Sequence, residues 1–499
     1  MSTLFEGVTG GDEDTVVRAL RAGESPEADA DGETVLYRAA VANEPGIVRL
    51  LLAAGADPGR GSGEGAGDLP LCGAACGGHA EVVRALLAAG ARPDEEESYG
   101  FTATAWAVRL GHTETVRVLL AHGADPNRPG PDGLTPLVAA ARRGSTPSVR
   151  TLLEHGAGPL GDALAEARRW IGVDIAAELR RGLLDGYAGG ATYESVVRRV
   201  PEDGGVTVVV ELLRENGAPG SGDERQTGHA AIATLLEGAL GLSVPHEELA
   251  TRALRCGDRT QDDWTEAVAA LARRADGETF RAASAWCGSG DTRRQALGAD
   301  VLAALGGFRA AGLPVLRRLA AGLRPAAEDS GEAAGAAREP ALAVVAALGT
   351  AGDAAALPEL LAFAAHPDAE VRRALGCALT GLVPAGCPGA VEVLVGLSRD
   401  PDPGVRDWAT LALAELPEDT PPLRAALAER LDDTDPDTVA EAARGLAMRQ
   451  DQRAVEVLAG ILADGDPGGS ARDTALAALE HIGNERVRTR LEWTGPRIR

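Results

Sequence analysis

Apolar positions in the first third of the chain fall into short blocks at helical spacing. Val82, Val83, Leu86 and Leu87 lie on one face of such a block, the pattern of an amphipathic helix, and Gly90 marks its stop. Blocks with a Val-Arg step stand at Val17-Arg18, Val48-Arg49, Val83-Arg84, Val116-Arg117 and Val149-Arg150. Each is followed by a turn phrase: Gly-Ala-Asp-Pro at 55–58 and 123–126, altered forms at 90–93 and 156–159, and Ala22-Gly23-Glu24-Ser25-Pro26 at the start. Gly55, Gly90, Gly123 and Gly156 are spaced by 35, 33 and 33 residues. A second apolar block lies upstream, clearest at Leu134-Thr135-Pro136-Leu137, where Thr135 can cap a helix and Pro136 suits its first turn. A fixed period of this length predicts stacked helix pairs, five of them over about residues 1–159. Residues 1–12 are expected to cap the start, and Asp162 to Leu183 to close the array as a last helix pair.

From Tyr187 the period is lost. Thr192 to Val200 and Val206 to Leu213 are Val-rich and partly alternating, so they predict a β-hairpin around a five-residue loop, Pro201 to Gly205. Asn216 to Gly228 is Gly/Ser/charged and predicts a linker. A lone hairpin is marginal in water. It either caps or bridges the helical arrays, or offers its edge to a partner strand. Helix pairs resume from His229 with a new signature, Asp400-Pro401-Asp402-Pro403-Gly404-Val405-Arg406. Related copies stand at 366–374, 433–439 and 464–467, stepping by 34, 33 and 31 residues. Each turn aspartate predicts a helix N-cap. The arginine six residues on is expected to reach a turn aspartate of the neighbouring repeat, building a ladder of charge pairs. Arg324 to Glu339 is Ala/Gly/Glu-rich and reads as a loop.

The Thr-Pro-Leu-x-x-Ala-Ala and Gly-Ala-Asp-Pro phrases at their 33-residue period resemble the ankyrin repeat. The Asp-x-Asp-Pro turn followed by Val-Arg-x-x-Ala resembles the HEAT repeat, in particular its short PBS-lyase-like class. The expected fold is mostly α, two tandem α-solenoids, ankyrin then HEAT, joined by a short β-hairpin segment. The expected divisions are 1–185, 186–228 and 229–499. The ankyrin resemblance implies that partners bind first helices and finger tips. Here those positions are Trp106, Arg109, Arg142 and Arg143 on first helices, and Glu95, Glu96, Glu97, Tyr99 and Arg128 on fingers. Trp106 reads also as a core residue. The arginines either grip an acidic segment of a partner or form a solvated face.

Composition narrows the chemistry. Aromatic residues are only 3% of the 499, so a core must come from thin, closely packed helices. The net charge of -25 argues against a general nucleic-acid binder, which needs cations to neutralise phosphates, and against docking on an anionic membrane. The chain has no lysine; all 49 basic residues are arginine. That excludes a P-loop lysine and a Schiff-base lysine. The Arg, Ala, Gly and Pro bias suggests a high-GC bacterial genome. The acidic start, Met1 to Asp14, lacks the apolar core of a leader, and the apolar stretch from Pro340 to Gly352 is too short to span a bilayer, so the cytoplasm is expected. Cys72, Cys76 and His79 share helical spacing, but a structural zinc site needs four ligands, and they read as packing residues. No metal or cofactor is expected. Asp262, Asp263 and Trp264 read as the capped start of a helix rather than a catalytic group.

The expected function is non-catalytic: an adaptor or scaffold binding a protein partner through two concave faces. One alternative is an inhibitor or immunity protein that neutralises a basic toxin or nuclease. Another is a HEAT-type enzyme, a lyase or DNA glycosylase, which the acidic charge disfavours.

Overall fold

The computed structural model describes residues 2–63, 67–185, 194–202, 204–214, 216–323, 332–464, 466 and 468–494. Contacts divide the chain into two compact units, Met1–Ala270 and Leu271–Arg499.

The first unit opens with five helix pairs: α1 (Thr3–Thr9) with α2 (Glu13–Arg21), α3 (Val35–Val41) with α4 (Pro45–Ala53), α5 (Pro70–Cys76) with α6 (Ala80–Ala88), α7 (Ala103–Leu110) with α8 (Thr113–Ala121), and α9 (Pro136–Arg143) with α10 (Thr146–Glu154). First helices stack on first helices and second on second. Ser2, Asp12, Thr34 and Thr102 cap their helices by accepting amide bonds three residues on. Thr135 holds the same position, but its hydroxyl makes no capping bond. Fingers follow the pairs; the first is a short ladder of β1 (Asp29–Ala30) and β2 (Glu33–Thr34). Successive fingers are tied side by side. The Asp94 carboxylate accepts the Asp125 N–H at 3.0 Å, and Asn127 Oδ1 accepts the Gly158 N–H at 2.7 Å.

One side chain per repeat reaches back to the end of the preceding first helix. His79 Nε2–H donates to the Val41 carbonyl (3.2 Å), His112 Nε2–H to that of Cys76 (3.0 Å), and the Arg143 guanidinium to that of Arg109 (2.8 Å). These carbonyls have no partner inside their own helix. The chain leaves the helix through left-handed glycines, Gly78 (φ +73°) and Gly111 (φ +79°), where a Cβ would meet His112 or Arg143 at under 3 Å.

The expected closing helix pair is not formed by neighbouring segments. α11 (Leu160–Trp170) stacks on α9, but α12 (Ile175–Asp185) packs against a sheet instead. The sheet comprises β3 (Ser195–Glu202), β4 (Gly205–Leu213) and β5 (Pro219–Gln226), antiparallel in that order. The second helix of the last repeat is α13 (His229–Ala239), which packs on α11 and α10. The apolar core that runs from Leu4 to Ala167 resumes at Ile232, Ala233 and Leu236. His229 supplies the next rung of the ladder, its Nε2–H donating to the Arg142 carbonyl at 3.2 Å, beside left-handed Gly144 (φ +82°). Residues 171–228 are thus inserted inside one repeat.

α14 (His246–Cys256) extends this unit, so the helices after His229, expected in the second array, begin by completing the first. Glu237 of α13, 1% exposed, is paired by Arg252 of α14 and by Arg168 of α11. Arg150 of α10 pairs with Asp262 (2.7 Å) and Glu266 (2.9 Å) of α15 (Asp262–Arg274), in which the division between the units falls.

The sheet differs from the expected hairpin in two ways. The turn is tight, with Glu202 paired to Gly205; the expected start at Thr192 lies outside the described residues. The expected linker contains the third strand. β5 has no apolar alternation because its ladder, not a buried face of its own, holds it on β4. The apolar side of β4, Val208 and Val210, lies on Ile175, Leu179 and Leu183 of α12.

The second unit is two layers of helices. One layer stacks α17 (Thr292–Ala304), α19 (Glu332–Ala351), α21 (Ala369–Leu379), α23 (Pro403–Glu415), α25 (Pro436–Met448) and α27 (Ser470–Ala478). The other contains α16 (Gly277–Cys287), α18 (Arg309–Gly322), α20 (Leu357–Leu361), α22 (Pro388–Leu397), α24 (Pro421–Glu429), α26 (Arg453–Asp464) and α28 (Glu485–Glu492). Of the expected loop 324–339, residues 332–339 form the start of α19; 324–331 lie outside the described residues. Few large rings means close helices: a Cβ on Gly445 would sit 2.8 Å from Ala414, and one on Gly349 2.8 Å from Ala378. Among the described residues no single helix is long and apolar enough to cross a membrane.

The charge ladder runs through this unit. Arg338 pairs with Asp368 (2.9 Å), Arg372 with Asp400 (2.7 Å) and Arg406 with Asp433 (2.8 Å). Arg372 and Arg406 also donate to main-chain carbonyls of their own turns. Val439 stands where the next arginine would be, and the ladder stops there.

Two outcomes follow. The hydrogen bond from Arg406 holds Asp433 below the usual carboxylate range. Its contribution is therefore complete above pH about 4 and lost on acidification below that. Arg406→Ala should cost about 2 kcal/mol, since it leaves a carboxylate 3% exposed with Arg430 (3.0 Å) as its one ion-pair partner among the described residues, and urea midpoints of the variant should lose part of that acid dependence. Burial pushes the His229 imidazole down to about 4. The folded state thus holds it neutral while the unfolded chain takes up a proton below pH about 6.5, so acidification from there to pH 4 should remove up to about 3 kcal/mol from the first unit. His229→Gln, which can still donate, should flatten that slope in urea titrations at pH 7 and 4.5.

Candidate functional site

The inserted sheet stands over the first helices of the last repeats. Between them is a cleft of about 950 Å³. One wall is α7 and α9, through Ala105, Val108, Arg109, Ala139, Arg142 and Arg143; the other is the sheet face carrying Arg198, Val209 and Glu211, with Asp223, Glu224 and Arg225 of β5. Leu183 of α12 and Pro131 and Asp132 of a finger close it.

At one end is an aromatic and cationic stack. Phe101 lies on Trp106 with ring centroids 4.2 Å apart, and the Arg109 guanidinium sits 5.8 Å from the Phe101 ring. The Trp106 indole N–H donates to Glu97 at 2.6 Å. Burial pushes the Glu97 carboxyl up, and this bond counters it. Trp106 is half-buried behind Phe101 rather than open to the cleft. Arg109 is exposed, lines the cleft, and has no carboxylate partner among the described residues.

At the other end the arginines are already engaged. Arg142 pairs with Glu166 (3.0 Å). Arg143, 5% exposed, pairs with Glu224 of β5 (2.7 Å) while holding the Arg109 carbonyl. Arg225, 5.6 Å over the Trp170 ring, faces this cluster. Burial, countered by Asp223 and reinforced by Arg143, Arg142 and Arg109, lowers its pKa. β5 therefore lays two carboxylates and one guanidinium where the ankyrin resemblance places a partner.

The expected finger residues do not join the cleft. Glu95 pairs with Arg92, Glu96 with Arg128 (2.8 Å), and Glu97 with Trp106; Tyr99 is 75% exposed. Phe101, Arg198 and Arg225 line the cleft and went unmarked in the sequence; only the Arg198-Arg199 pair of β3 and the charged character of 216–228 hinted at the last two. Elsewhere, His122 and His155 bond the carbonyls of Val118 and Thr151, four residues back in their own helices. The Cys72 thiol lies 3.8 Å from the Phe101 carbonyl. Asp263 caps a neighbouring helix, accepting the Ala231 N–H at 2.7 Å.

Sequence models of ankyrin repeats match residues 31–61, 59–130 (three copies) and 105–156, and a model of HEAT repeats matches 332–414 and 424–493. The chain carries ankyrin repeats followed by HEAT repeats. No curated protein matches it. Both repeat types are protein-interaction modules, and both families are usually non-catalytic. The cleft belongs to the ankyrin repeats matched at 105–156 together with the insertion that follows them.

Arg143→Ala should strand Glu224 and the Arg109 carbonyl. A loss of about 2 kcal/mol is expected, with faster amide exchange concentrated in β5, read by hydrogen–deuterium exchange.

Proposed function

We propose that this ankyrin–HEAT chain is a non-catalytic adaptor or scaffold, and that an extended acidic segment of a protein partner docks in the cleft beside α7. The observation that carries the reading is Arg109. It is a guanidinium without a carboxylate partner among the described residues, stacked on Phe101 at one end of a cleft whose other arginines are spent on Glu166, Glu224, Glu211 and Asp223. An arginine backed by an aromatic ring is a typical anchor for a binding partner. β5 supports the chemistry, because its own Glu224 already satisfies Arg143 in the same groove.

A second reading, inhibition of a basic toxin or nuclease, is favoured by one observation in the HEAT repeats. Burial, with Asp435, Asp437 and Glu441 nearby, pushes the Asp407 carboxyl up to about 6. Such crowding of acids is relieved by a cationic partner.

Affinity capture from native cytosol, washed at low and high salt, tests the first reading. A near-stoichiometric partner should be retained at low salt and released at high salt. Arg109→Glu should lose at least ten-fold of it while circular dichroism stays unchanged. Equal capture by Arg109→Glu would overturn docking in the cleft.

A further inference from the structure

A second cavity, of about 520 Å³, opens on the opposite face of the inserted sheet. Alternate residues of a strand face opposite sides. Arg198 and Val209, which pair across the ladder, line the partner cleft, whereas Arg199 and Val208, also paired, line this cavity. Its far wall is the segment from Trp170 to Ile175, and its base is the start of α13 with the end of α14. Ile171, Val173 and Val208 make much of the wall apolar, and the Trp170 ring is stacked on His229 at 5.5 Å. The volume is that of a small-molecule site.

The charges in this wall are unequal in what they have left to do. Asp174 accepts the Ala177 N–H (3.2 Å) and Asp263 accepts the Ala231 N–H (2.7 Å), so both acids are committed to the starts of helices. His229 is committed to the Arg142 carbonyl, and burial, which pushes the Cys256 thiol up to about 11, keeps it uncharged at neutral pH. Arg199 and Arg255 have no ion pair or side-chain hydrogen bond among the described residues, though the Arg255 charge favours the ionised Asp263 carboxylate against its burial. Arg255 lies across Gly172, where a Cβ would come within 3.0 Å of its guanidinium. In a chain with 74 acidic and 49 basic residues, two guanidiniums without an ion pair among the described residues on one apolar cavity are a built preference for an anion.

We propose that this cavity binds a small carboxylate ligand with an apolar body, its head held by Arg199 and Arg255 and its body resting on Ile171, Val173 and Val208. The site is separate from the partner cleft and does not depend on the adaptor reading.

Isothermal titration of the full chain with 3-phenylpropanoate tests it, beside 3-phenylpropanol, which lacks the charge, and acetate, which lacks the body. One molecule of 3-phenylpropanoate per chain is expected to bind, at least ten-fold more tightly than either control. Arg199→Ala/Arg255→Ala should weaken it at least ten-fold, and Arg109→Ala, in the other cleft, should leave it unchanged. Should the double variant lose its native circular dichroism, Arg199→Gln, on an exposed strand, gives the same reading. No heat of binding up to about 10 mM ligand, equal binding by the alcohol, or equal binding by the folded variants would overturn the proposal.

Discussion

A side chain from one repeat that satisfies the exposed end of the helix before it holds the first unit in register. An imidazole or guanidinium bonds a terminal carbonyl that has no intrahelical partner, and the chain leaves that helix through a left-handed residue, Asn43 (φ +58°) in the first case and a glycine in the others. His79, His112, Arg143 and His229 do this in turn. The second unit solves the same problem with Arg338, Arg372 and Arg406 on turn aspartates. In both, each repeat depends on its neighbour for polar satisfaction as well as for apolar burial, which makes such an array nearest-neighbour in its energetics. The shortage of aromatic residues then becomes an advantage, since small side chains let the helices approach closely enough for these reaches.

The insertion turns a repeat array into a site. Without it, the first helices of α7 and α9 would face open solvent. With it, a sheet stands over them, held by Arg143 and Glu224 on one side and by Leu179 under Val208 and Val210 on the other. Its two faces carry alternate residues of β3, so adjacent arginines, Arg198 and Arg199, serve different cavities.

Much of this was legible in the chain. The helix pairs follow from the Val-Arg blocks and their glycines, and the Arg406–Asp433 pair from a fixed distance between turn and helix. Thr34 and Thr102 cap as their type predicts; Thr135 does not, because position alone does not aim a hydroxyl. β5 was illegible because Pro219 to Gln226 has neither alternation nor apolar residues, and its strand state comes from β4. The cleft was illegible for the same reason, since half its wall is drawn from 198–225. The split of the last repeat did leave a trace. Gly228-His229 repeats the step of Gly78-His79 and Gly111-His112, but at a distance that no constant period would find.

That last rung also sets a timetable. The earlier reaches close loops of 34 to 38 residues, whereas His229 to Arg142 closes one of 87. The extra loop entropy is only about 0.8 kcal/mol. During synthesis, however, the ankyrin array stands with an open apolar end until the whole insertion has emerged. The sheet is thus made before the array beneath it is sealed, and the seal locks both in place together.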